Sequence, residues 1–92
     1  MNNKEHLLLC LMEEAAEITQ AASKCLRFGV DDKYLCCTNL ENLIYEFNDM
    51  LAVIEELRQE GVVVDIRPVL IEDKHRRLEK YRQISKERGH HD

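Results

Sequence analysis

Leu43-Ile44-Tyr45-Glu46-Phe47-Asn48-Asp49-Met50-Leu51-Ala52-Val53-Ile54-Glu55-Glu56-Leu57 is a run whose apolar residues recur three and four apart, the spacing of an amphipathic helix. With Glu46 at the origin of a helical wheel, Leu43, Met50, Val53 and Leu57 fall within roughly 60° of it. Asp49 flanks the same stripe. Two carboxylates therefore stand on the face that should be buried, where an unpaired charge is costly. The rest of the chain is read for what compensates them.

Thr38-Asn39-Leu40-Glu41 has the form of a capping box, and Gly61 is a stop signal. They bound this helix at about Glu60. Upstream, a first helix is expected from an Asn3 cap to about Arg27, ended by Gly29. Its stripe is Leu7, Leu11, Glu14, Ile18, Ala21 and Cys25. Glu14 sits in the middle of that stripe, Glu17 on its flank and Glu13 nearer the edge. Residues 30–37 read as a connection with a short helical turn. Val62-Val63-Val64 reads as an apolar link. Asp65 and Pro68 open a third helix to about Glu87, with Gly89 after it and a frayed tail over residues 88–92. Around Lys74 on that helix cluster Leu70, Ile71, Leu78 and Tyr81, with Arg77 on one flank.

Ninety-two residues suit one small domain spanning residues 1–92, a size at which a single core is thin and self-association is expected. The expected fold is all-α: an antiparallel helical hairpin plus a third long helix, completing a four-helix-bundle-type core by homo-oligomerisation. The net charge of −5, with no basic block, argues against nucleic-acid binding. The apolar runs are shorter than a bilayer span, and acids interrupt the N-terminal run, so no membrane partner and a cytoplasmic location are expected. Cys10, Cys25, Cys36 and Cys37 form no Cys-x-x-Cys pair. They read as reduced thiols, with Cys10 and Cys25 in the core, rather than as zinc ligands.

One charge on an apolar stripe is more often an edge residue reaching water than a functional group. Two acid pairs at i,i+3 spacing are different, because each pair shares one side of its helix. If the helices pack antiparallel, four carboxylates converge and require cations or protons. Their hard oxygens favour magnesium, manganese or calcium. Two such ions can clamp an in-line displacement at phosphorus, and Lys74 and Arg77 would offset phosphate charge.

Glu13-Glu14-Ala15-Ala16-Glu17, followed by Glu46-Phe47-Asn48-Asp49 and then by Asp73-Lys74-His75-Arg76-Arg77, resembles the EExxE…ExxD signature and basic helix of the MazG-like all-α nucleoside triphosphate pyrophosphohydrolases. The resemblance runs over nearly the whole chain. It implies magnesium-dependent hydrolysis of a (deoxy)nucleoside triphosphate to the monophosphate and pyrophosphate by metal-activated water, manganese being a possible substitute. It implies Glu14, Glu17, Glu46 and Asp49 as metal ligands and catalytic residues, Glu13 as an auxiliary acid near substrate, and Lys74 as the phosphate contact that stabilises developing charge. It also implies a homodimer or homotetramer. Glu72 and Leu78 stand where the family commonly has an asparagine and an arginine, so Arg77 is the candidate to replace the latter.

Phe28, Tyr34, Phe47 and Tyr81 are candidates for stacking on a base, and Asn39 and Asn42 for hydrogen bonds to a nucleotide. The competing reading is a non-catalytic helical nucleotide-binding or adaptor oligomer. That reading explains amphipathic helices but not acids in the middle of two stripes. A di-iron bundle would use Glu72 and His75, which have Glu-x-x-His spacing but lie roughly 100–160° from Lys74, off the apolar stripe.

Overall fold

The computed structural model describes residues 1–92, apart from the side chain of Tyr34. Helix α1 spans Asn3–Phe28. A miniature hairpin follows, with β1 at Lys33–Tyr34 and β2 at Cys37–Thr38. Helix α2 spans Asn39–Gln59 and helix α3 spans Pro68–Glu87.

Helix ends follow the local chemistry. Asn2, one residue earlier than expected, caps α1: its side chain accepts from Glu5 N at 2.8 Å, and Glu5 Oε1 accepts from Asn2 N at 3.1 Å. Thr38 and Glu41 form the expected capping box of α2, both bonds at 3.0 Å. These reciprocal bonds satisfy amide donors that a helix start otherwise leaves unpaired. Gly29 closes α1 with φ 99, in the region that glycine enters without a Cβ clash. Pro68 opens α3 after Arg67, whose side chain makes no capping bond.

α1 and α2 lie against each other as an antiparallel pair. At one end Asn39 Nδ2 donates to Gly29 O at 2.9 Å, and Leu40 N donates to Val30 O at 3.0 Å. At the other end Asn3 Nδ2 meets Glu60 Oε1. The α1 stripe Leu7, Leu11, Glu14, Ile18, Ala21 and Cys25 is the half-buried or buried face of that helix. Its counterpart on α2 is Leu43, Glu46, Met50, Val53 and Leu57, of which Leu57 is fully buried.

The connection between the pair departs from expectation. Residues 30–37 form no helical turn; Lys33 pairs with Thr38 and Tyr34 with Cys37 in an antiparallel ladder. Two residues, Leu35 and Cys36, make the loop, and Leu35 takes φ 61. A positive φ at the first loop position suits the primed turns that match strand twist.

α3 has no comparable interface with α1 or α2 among the described residues. Its apolar side chains Leu70, Ile71, Leu78 and Tyr81 are all exposed. The radius of gyration, 16.7 Å, exceeds the ~12 Å of a compact domain this long. Among the described residues, no helix is long and apolar enough to cross a membrane.

Candidate metal centre

The α1 and α2 stripes carry their acids to one place. Glu14, Glu17 and Glu46 each offer a carboxylate oxygen, and these atoms lie within 4.8 Å of one another. Glu14 and Glu17 come from successive turns of α1, whereas Glu46 faces them from α2. Glu14 and Glu46 are half-buried and Glu17 is exposed. Glu14 Oε2 and Glu46 Oε2 are buried without a hydrogen-bond partner, an arrangement native proteins rarely leave uncompensated.

The acids raise one another's proton affinity. A hydrogen bond with Glu17 acts first on Glu46, followed by burial and by the charges of Glu17, Asp49 and Glu14, and raises it to about 7. Burial is the main cause of the upward shift of Glu14, with the charges of Glu17 and Asp49 next. The Glu17 hydrogen bond and the charge of Glu13 act in the same direction. Like charges this close disfavour joint ionisation. A divalent cation would relieve both defects, because it supplies charge and accepts the two unpartnered oxygens. The donor set is all carboxylate, which fits magnesium or manganese better than a soft ion.

The expected residues are not all gathered there. Asp49 is exposed and outside the three-acid group, although its charge acts on Glu14 and Glu46. Glu13 is exposed beside Glu14. Lys74 and Arg77 lie on α3, away from the α1–α2 interface. Arg77 Nε is bound to Asp73 Oδ2 at 3.1 Å, in an i,i+4 pair on its own helix. The leading causes of the shifts of Glu14 and Glu46 are burial and the neighbouring acids.

A cavity of about 420 Å³ opens beside the acids, lined by Glu17, Glu46, Lys24, Asn42, Cys36 and Cys37 among others. A second, of about 460 Å³, is lined by Lys24, Phe28, Asp32, Lys33 and Asn39. Lys24 borders both. Phe28 lines the second cavity and Asn42 the first; Lys24, not among the sequence candidates, lies one helical turn beyond Gln20 on the side of α1 toward the hairpin. Asn39 is 3% exposed and donates to the end of α1, so it ties two helices together. Phe47 and Tyr81 are exposed, and the Tyr34 side chain lies outside the described residues.

Compared with known proteins, the chain matches no family model, no curated protein and no solved structure.

Proposed function

We propose that this chain is a magnesium-dependent nucleoside triphosphate pyrophosphohydrolase of the MazG-like kind, working as a homo-oligomer. The observation that carries the reading is the pair of buried, unpartnered oxygens of Glu14 and Glu46 within a three-acid group. A divalent ion gives that cluster a role that an adaptor or a purely structural bundle does not require of it.

Glu14, Glu17 and Glu46 would hold the ion, with Asp49 as the neighbouring acid whose charge reaches Glu14 and Glu46. Bound there, magnesium would supply Lewis acidity toward phosphate oxygens. The proton that Glu46 retains near neutral pH must leave before its carboxylate can act as a ligand. The cavity beside the acids gives the substrate's phosphates access to them, and Lys24 lies on its wall. Hydrolysis to the monophosphate and pyrophosphate breaks the bond between the α-phosphorus and its bridging oxygen.

The exposed stripe of α3 favours association with a second copy. Burying Leu70, Ile71, Leu78 and Tyr81 there contributes at roughly 25 cal/mol per Å² of apolar surface. The phosphate role proposed for Lys74 and Arg77 rests on such an assembly, because within one chain both residues lie away from the acids.

Pyrophosphate release from a panel of canonical and modified nucleoside triphosphates, with and without magnesium, tests the proposal. Turnover that requires magnesium and disappears in Glu46→Ala is expected. No turnover by a folded oligomer with either magnesium or manganese overturns it in favour of a non-catalytic nucleotide-binding assembly.

A further inference from the structure

Neighbouring residues of a strand point to opposite faces, so adjacent cysteines ordinarily hold their thiols apart. Cys36 and Cys37 do not: their sulfur atoms are 3.0 Å apart. The hairpin brings this about. Cys36 occupies the second loop position and Cys37 the first position of β2, and the left-handed Leu35 turns the chain between them and β1. Leucine rarely adopts that conformation. Both cysteines are free, Cys36 is exposed and Cys37 half-buried, and both line the 420 Å³ cavity next to Glu17 and Glu46.

We propose that Cys36 and Cys37 form a reversible oxidation site, closed to a vicinal disulfide by exchange with a low-molecular-weight disulfide. The exposed Cys36 reacts first. Its thiolate attacks one sulfur of the small disulfide, that S–S bond breaks, and one small thiolate leaves. Cys36 now carries a mixed disulfide. Cys37 loses its proton to solvent and its thiolate attacks Cys36 Sγ, expelling the second small thiolate. The two protein thiols lose two electrons, the small disulfide gains them, and the two protons end on the released thiols.

Proximity makes Cys37 the resolving group, since its sulfur already touches the atom it must attack. Reversibility follows from the covalent geometry. Adjacent Cα atoms across a trans peptide are about 3.8 Å apart, short of the ~4.4–6.8 Å usual in disulfides. A bridge here therefore tightens an already constrained turn, and strained bridges are the readily reduced ones. Closure also draws the sulfurs from 3.0 Å to about 2.0 Å, changing the wall of the cavity that Glu17 and Glu46 also line. Cys10 and Cys25 are half-buried on α1, fifteen positions and therefore roughly 22 Å apart along the helix, so they do not bridge each other.

The test equilibrates the full chain in glutathione buffers of rising oxidised fraction and reads acid-quenched samples by intact mass and peptide mapping. The expected product is lighter by two hydrogens, bridged between Cys36 and Cys37, and restored by dithiothreitol. Cys37→Ser should stop at glutathione on Cys36, with the wild type holding less of that adduct on the order of tenfold or more. Equal adduct in both proteins, a bridge involving Cys10 or Cys25, or a Cys36–Cys37 pair that stays reduced in strongly oxidising buffer overturns the proposal. None of these readouts depends on catalysis, so the site stands or falls apart from the proposed hydrolase activity.

Discussion

Glu17 and Glu46 bring carboxylate oxygens within 4.8 Å of each other across the α1–α2 interface, and the approach of Glu17 is the first cause of the rise of Glu46 from 4.5 to about 7. In the unfolded chain Glu46 titrates near its ordinary value. Between 4.5 and about 7 the folded chain thus holds the extra proton, and stability from this group is lost as pH rises. Metal-free protein should therefore show urea midpoints that fall between about pH 5 and about pH 8. Glu46→Gln should remove most of that slope. An unchanged slope in the variant contradicts the assignment.

Magnesium should reverse the trend. A cation binding the ionised acids competes with their protons, so binding tightens as pH rises and releases protons near neutrality. Calorimetry in two buffers of different ionisation enthalpy reads the proton count directly. Binding that is indifferent to pH across this range sinks the prediction.

Leu57 is 0% exposed and anchors the end of α2 against α1. Leu57→Ala should cost about 2–5 kcal/mol, the range for a large buried aliphatic residue. Exposed Leu26→Ala should cost far less. Denaturant titration at equal protein concentration compares them, and similar losses would contradict the placement of the core.

The Thr38–Glu41 box starts α2 two residues after the hairpin loop, and Thr38→Ala should cost about 1 kcal/mol through the lost cap. Thermal unfolding checks this. A loss near zero would mean that the ladder alone holds the start of α2.

Leu78→Glu should weaken self-association, because Leu78 lies on the exposed apolar stripe of α3. Sedimentation velocity should show wild-type assemblies larger than one chain and a shift of the variant toward monomer. A wild type that is monomeric throughout contradicts the oligomeric reading.

Much of this architecture is legible in the residues. The stripes containing Glu14 and Glu46 are the faces that α1 and α2 turn to each other, because a three-and-four spacing determines a helical face whatever packs on it. Thr38, Gly29, Gly61 and Pro68 mark helix ends through local chemistry. The hairpin was not legible: two-residue strands leave almost no period to detect, and Leu35 carries none of the glycine or asparagine signal of its turn. Asp49 flanks the stripe but misses the three-acid group, a distinction of side-chain reach that a helical wheel does not resolve. The basic helix α3 was legible as a helix, yet its position apart from the α1–α2 pair is not something a local pattern carries.

The most direct test of the proposed metal centre is titration of manganese into metal-free protein, followed by electron paramagnetic resonance. Saturable binding that magnesium displaces is expected, weakened by about 10–100-fold or more in Glu46→Gln and Glu14→Gln. Wild-type binding that both variants retain unchanged, or no saturable binding in folded protein, would contradict it.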